Sequence, residues 1–243
     1  MKLPAAVVVG VGTQEGLGAA LCRKFADEKR HVFVAGRTQE KLNQVVAGIR
    51  AIGGSAESLQ MDATREEDVV YLLSKAFGPS DDYVAPDLVV FNAGNSQRID
   101  FRELTAEQFE DFWRVGCFAG FLVGRETARL MAPLGRGTLI FTGASASLRG
   151  RPGYAHFSAA KAGLRMLSQS MAREFGPHGL HVAHVTIDGR IDSEGRPAPA
   201  LASTDTDALL STDAIAHAYW QLHEQHKSAW TQELDLRPFR DAF

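Results

Sequence analysis

Along most of this chain, short apolar runs alternate with longer stretches whose apolar residues recur about every 3.6 positions. The short runs are Ala5–Val9, His31–Ala35, Ala56–Gln60, Leu88–Phe91, Thr138–Phe141, Val182–Ile187 and Glu233–Leu236. Ala5–Val9 and Leu88–Phe91 are continuously apolar, the mark of strands covered on both faces. The periodic stretches Leu17–Glu28, Gln39–Ala51, Glu66–Phe77, Ala106–Val115, Phe118–Met131, Phe157–Phe175 and Thr212–Gln225 read as helices, with Thr64, Thr105 and Ser211 near their N-caps. Strands that alternate with helices predict an α/β domain: seven parallel strands, right-handed crossovers and helices on both faces. One segment interrupts the alternation. Gly195–Ala200, with two prolines, and the polar run Ser203–Asp207 follow the sixth strand, so residues 190–211 are expected to form a substrate loop within a single domain spanning residues 1–243.

Composition narrows the class of partner. A chain of 243 residues can close one sizeable α/β core. Its 26 Lys plus Arg stand against 29 Asp plus Glu, a net charge of −3, which gives no basic surface for nucleic acid or anionic membranes. A small-molecule substrate is the expectation. No apolar stretch approaches the roughly 18 residues of a membrane span, and the first strand starts without a signal-peptide core. Cys22 and Cys117 lie far apart inside apolar helical patterns, which predicts two buried thiols in a reducing compartment. The expected location is cytoplasmic.

Chemistry enters at three points. The first strand runs into Gly10-Val11-Gly12-Thr13-Gln14-Glu15-Gly16-Leu17-Gly18. Glycines there let the backbone turn tightly and leave a helix N-terminus open to a pyrophosphate. Counted from Gly10, the common G-x-G-x-x-G spacing fails at Glu15; the spacing that fits is Gly12-x-x-x-Gly16-x-Gly18. Taken alone, such a turn is also compatible with a merely flexible strand-to-helix connection. The second point is Asn92-Ala93-Gly94 at the end of the fourth strand, and the third is Lys161 in the helical stretch Phe157-Ser158-Ala159-Ala160-Lys161.

In these three motifs, their order and their intervals, the chain resembles the short-chain dehydrogenase/reductase family, from about Pro4 to Leu236. The resemblance implies a Rossmann-type doubly wound fold, a nicotinamide cofactor and a homodimer or homotetramer built on the fourth to sixth helices. It places Gly12, Gly16, Leu17 and Gly18 at the pyrophosphate, Asp62 and Ala63 beside the adenine, and Asn92, Ala93 and Gly94 along the adenosine ribose and crevice. Ile187, Gly189 and Ser193 fall by the nicotinamide, with Asp188-Gly189 where the family has Pro-Gly. The second strand ends in Gly36-Arg37: the carboxylate that an NAD site offers to the ribose 2′-hydroxyl is replaced by glycine, and a cation follows it. NADP(H) is therefore favoured over NAD(H). The competing reading makes Arg37 a solvated loop charge, and Gln14 and Glu15 lack the basic residue that many NADP-binding relatives carry in the turn.

The catalytic positions depart from the family. Its proton-donating tyrosine corresponds to Phe157, its serine to Ala144 with Ser145 one residue later, and its asparagine to Gly116; only Lys161 matches. Phenylalanine has no titratable proton. Tyr71 and Lys75 reproduce Y-x-x-x-K literally, but on the helix before the fourth strand, away from the expected site. Tyr154, seven residues before Lys161, returns nearly to its helix face but stands about 10 Å along the axis, so it reaches the site only if the helix starts late; His156 is the other nearby candidate. The alternative for both is a substrate-pocket wall. Three readings remain open: an oxidoreductase with altered proton transfer, a catalytically silent NADP(H)-binding sensor or partner-binding protein, and an unrelated α/β protein.

Overall fold

The computed structural model describes residues 2–193 and 209–240. In chain order the elements are β1 (Leu3–Val9), α1 (Leu17–Asp27), β2 (His31–Gly36), α2 (Gln39–Ala51), β3 (Ser55–Gln60), α3 (Glu66–Phe77) and β4 (Tyr83–Phe91), followed by α4 (Ala106–Trp113), α5 (Ala119–Met131), β5 (Thr138–Thr142), α6 (Ala155–Phe175) and β6 (His181–Ile187). Two short strands, β7 (Arg190–Asp192) and β8 (Leu209–Ser211), precede α7 (Thr212–His223) and β9 (Glu233–Leu236). The main sheet has seven strands in the order β3-β2-β1-β4-β5-β6-β9, all parallel.

Each central strand feeds both layers. Ala5, Val7 and Val9 of β1 pack beneath α3, α5 and α6, while Ala6 and Val8 pack beneath α1, α2 and α7. This double burial explains why β1 and the end of β4 read as unbroken apolar runs. Leu21 and Phe25 fix α1 against the sheet, and burying each stabilises the fold by roughly 1.5–3 kcal/mol. After β3 the chain crosses back to the other side of β1, and the β1/β4 boundary is where the strand order reverses. In open α/β sheets that point opens a crevice beyond the carboxyl ends of the strands.

Four local expectations change. The two helices expected at Ala106–Val115 and Phe118–Met131 run on as one helical stretch, because residues Arg114–Phe118 form a π-helical turn between α4 and α5. Helix α6 begins at Ala155, two residues before the expected Phe157. Thr64 is not the cap of α3; Arg65 takes that place, and Thr64 instead donates through its amide and its hydroxyl to Asp62 Oδ1, at 2.9 and 2.8 Å. Thr105 and Ser211 do cap α4 and α7. Finally, the segment expected as a loop over 190–211 has its two ends, β7 and β8, paired as a small parallel ribbon. Its Gly195–Ala200 and Ser203–Asp207 stretches lie outside the described residues.

Candidate active site

The crevice at the reversal point is a cleft of about 180 Å³. Its floor is the β1–α1 turn, and Gly36, Arg37, Asp62, Ala63 and Gly94 are among the residues along its walls. Val11, Met61, Thr64, Val115 and Ala119 line it as well, and the sequence motifs assigned none of these to the cofactor. The fit to a dinucleotide can be tested on the turn. A Cβ added to Gly12 would meet nothing within 4 Å, so open space lies above that backbone, whereas one on Gly18 would come within 2.9 Å of Val11 Cα. Helix α1 has Gly16 as its N-cap, no side-chain cap and no carboxylate in its first turn, which leaves its positive end for an anion. The residues present fit a pyrophosphate.

The walls are held by short-range contacts. Asn92 donates from Nδ2 to Gly10 O at 3.2 Å, which ties the end of β4 to the turn. The amide of Asp62 donates to Asp68 Oδ2 at 2.8 Å. Arg37 is exposed, and among the described residues its guanidinium makes no hydrogen bond or ion pair; only its carbonyl is used, accepting from Gln60 at 3.0 Å. A free cation thus stands at the end of β2 beside a glycine.

Lys161 is buried, and its ammonium donates to Thr142 O at 2.8 Å. Desolvation pulls its pKa down to about 8. A Cβ on Gly94 would lie 3.1 Å from Lys161 Nζ, so the glycine of the Asn-Ala-Gly motif keeps room for the lysine head at the wall of the cleft. One turn earlier on α6, Phe157 presents its ring to the same ammonium, 5.9 Å from Nζ to the ring centre. No phenol is there. Gly116 lies in the π-helical turn, and a Cβ on it would come within 2.9 Å of Ala160 Cβ, so the side chain expected at that position is excluded by the approach of α6.

Ser145 opens a single 3-10 turn, Ser145–Ser147, after β5. The hydroxyl that organises this turn belongs to Ser147: it accepts the Ala144 amide at 3.2 Å and lies 3.4 Å from His184 Nε2. Tyr154 is the N-cap of α6 and is half-buried; because the helix starts early, Tyr154 stays about two turns from Lys161. His156 is fully buried against Phe112, with its Nε2 3.1 Å from Gln97 O. Tyr71 is exposed on α3, and Lys75 pairs with Glu57 at 2.6 Å, on the side away from the cleft. At the far end, Ile187 is buried, Gly189 faces Pro238 and Leu210, and Ser193 closes the first described stretch. Asp188 is buried between two arginines, accepting from Arg149 Nη2 at 2.8 Å and Arg237 Nη2 at 2.9 Å.

A parallel sheet with a glycine turn, an open helix end and a buried lysine at its carboxyl edge defines a dinucleotide-binding α/β protein. The comparisons with known proteins agree. A model of the short chain dehydrogenase family matches residues 5–194. A crystal structure of a short-chain dehydrogenase from Rhodopseudomonas palustris is 39% identical, with a TM-score of 0.81 over 97% of this chain and 99% of that one. A metagenomic short-chain oxidoreductase in complex with NADP is 26% identical, with a TM-score of 0.81 over 97% of this chain and 98% of that one. Gluconate 5-dehydrogenase from Gluconobacter oxydans (strain 621H) is 30% identical over 184 residues, 74% of this chain and 70% of the relative. The chain belongs to the short-chain dehydrogenase/reductase family, a family of oxidoreductases that bind NAD or NADP.

Proposed function

We propose that this protein is an NADP(H)-dependent oxidoreductase of low or altered activity, acting on a small carbonyl, alcohol or activated-alkene substrate with an incomplete catalytic set. The observation that carries the reading is Lys161: it is buried, anchored on Thr142 and given room by Gly94 at the cleft wall, which supports a role in holding a nicotinamide ribose. Gly12, Gly16, Leu17 and Gly18 would hold the pyrophosphate. Asp62 and Ala63 would hold the adenine; Asn92, Ala93 and Gly94 the ribose and crevice; Ile187, Gly189 and Ser193 the nicotinamide end. When bound, the cofactor supplies a hydride. Gly36 and the unpaired Arg37 favour NADP(H), since a guanidinium can take the 2′-phosphate in two hydrogen bonds, and the NADP complex of a relative agrees.

The chain's own residues must then do without the usual acid. General acid catalysis is worth about 10²–10⁴-fold, or roughly 3–5 kcal/mol, whereas positioning can contribute up to ~7–11 kcal/mol. A site that positions well can work slowly without Phe157 donating anything. Ser145, one residue after Ala144, and Tyr154, three residues before Phe157, are the polar groups assigned to the vacated roles. The second reading, a silent NADP(H) sensor or partner-binding protein, rests on Phe157, Ala144 and Gly116 together. The protein is expected to be cytoplasmic and to fold as one domain with a substrate loop over 190–211. Phe109, Trp113, Phe121 and Met166 expose apolar surface on α4 to α6, which suits a homodimer or homotetramer.

Fluorescence titration with NADPH and NADH tests the reading of the cofactor. Tighter binding of NADPH, with the difference lost in Arg37→Ala, is expected. Equal affinities in the wild type would contradict the role given to Arg37.

A further inference from the structure

We propose that the substrate of this site carries a carboxylate, held by Arg149 with help from Arg98. The inference rests on the oxidoreductase reading and narrows its substrate class. The segments after β4, β5 and β6 form the rim beyond the cofactor cleft, and three contacts fasten them together. Ile99 donates its amide to Gly153 O at 2.9 Å, His156 Nε2 meets Gln97 O at 3.1 Å, and Arg149 reaches Asp188 across the rim. A Cβ on Gly153 would lie 2.8 Å from Arg98 Cγ, so Arg98 lies against the segment that leads into Tyr154 and Phe157. Both arginines therefore belong to the substrate end of the site.

Part of their donor capacity is unspent. Arg149 uses Nη2 alone, shared between the two oxygens of Asp188 at 2.8 Å each, and its side chain is 46% exposed. Among the described residues its Nε and Nη1 have no hydrogen-bond partner. A buried carboxylate thus fixes the guanidinium in place while part of its donor fork remains open, the arrangement that suits a second carboxylate. Arg98 is exposed and makes no hydrogen bond or ion pair among the described residues. Asp100, the acid nearest to it in sequence, is hydrogen-bonded by Arg102, whose Nε and Nη2 reach it at 3.0 and 2.8 Å, and the Arg98 charge acts on it only through space. The charge already on Asp188 favours a singly charged carboxylate over a phosphate dianion, which it would repel more strongly. The alternative role for Arg149 is a clamp that only joins the β5 and β6 loops.

Calorimetry on the full chain, with and without saturating NADPH, decides between these roles. The probes are gluconate and lactate, their neutral counterparts sorbitol and propane-1,2-diol, and inorganic phosphate. Saturable binding of at least one of the two acids is expected, with no comparable binding of its neutral counterpart or of phosphate. Arg149→Gln should weaken that binding by about tenfold to a hundredfold, the effect of losing a charged hydrogen bond, and leave the NADPH dissociation constant unchanged. Arg98→Gln, an exposed change that spares the fold, should weaken it less. If neither acid binds better than its neutral counterpart, if phosphate binds as tightly as the acids, or if both substitutions leave acid binding intact, the proposal is wrong. Failure of NADPH itself to bind would instead overturn the oxidoreductase reading, while acid binding to the cofactor-free protein still reports on the two arginines.

Discussion

The Lys161 ammonium faces the Phe157 ring at 5.9 Å, one helical turn away, at the two positions that the family resemblance assigns to a lysine and a tyrosine. A cation over an aromatic face is worth about 0.5–2 kcal/mol, so the two residues still support each other although no proton passes between them. The lysine keeps a use in binding alone. Lys161→Met should weaken NADPH binding by at least ~1 kcal/mol, as losing a charged hydrogen bond does, read by fluorescence titration.

The same lysine predicts a pH dependence. Burial lowers its pKa to about 8, so without cofactor it loses its charge as pH rises through that value. Bound phosphates favour the cation, and binding above pH 8 must take up a proton. NADPH affinity should therefore fall between about pH 8 and pH 9.5 in the wild type and change much less in Lys161→Met. Parallel pH profiles for the two proteins would remove Lys161 from the cofactor site.

Restoring the family's asparagine should fail for a steric reason. Gly116→Asn puts a Cβ within 2.9 Å of Ala160 Cβ, an atom with no side-chain freedom to move aside. Overpacking of this kind costs typically about 1–3 kcal/mol. The urea midpoint should drop accordingly without any gain in turnover, whereas an unchanged midpoint would show that α6 can shift.

Acid should destabilise the fold through two buried histidines. Burial lowers the pKa of His184 to about 4 and also lowers that of His223, whose Nδ1 meets Thr138 Oγ1 at 2.9 Å and whose Nε2 lies 3.1 Å from Arg30 Nη2. Unfolded, each takes a proton near pH 6.5; folded, each resists it. Their contribution is thus complete above pH 6.5 and lost as pH falls from 6.5 toward 4, on the order of 3 kcal/mol for each at most. Urea unfolding at pH 7 and at pH 4.5 should show the loss, and His223→Asn should reduce it. A flat profile would contradict the buried, neutral assignment.

The periodic parts of the chain were legible because double burial writes itself into sequence: the central strands β1 and β4 carry continuous apolar runs, while the edge strands β3 and β9, which mix polar and apolar residues, were read from their place in the alternation with helices. The β7–β8 ribbon was not, since three-residue strands leave no period to read. Gly116-Cys117 reads as a break between helices, yet the helix continues, because a residue without a Cβ lets α6 approach and the backbone absorbs the extra residue as a π-turn. Within the site, the glycines and Lys161 announced themselves by spacing. The Lys161 anchor did not, being a backbone carbonyl that any residue at position 142 would supply. Nor did the Asp188 clamp, whose partners lie 39 and 49 residues away along the chain.

The central claim, that the cofactor apparatus is kept while the acid at position 157 is lost, is tested most directly by Phe157→Tyr. With NADPH and a panel of ketones, diketones and quinones, the wild type should be a poor reductase and the tyrosine variant faster, since Lys161 already stands one turn away to lower a phenol pKa. The gain should fall short of the full 10²–10⁴-fold of general acid catalysis, about tenfold, because Ala144 and Gly116 leave two partner roles empty and such groups act as a unit. A wild type that already turns over as fast as ordinary relatives, or a tyrosine variant slower on every substrate, would show that another residue supplies the proton.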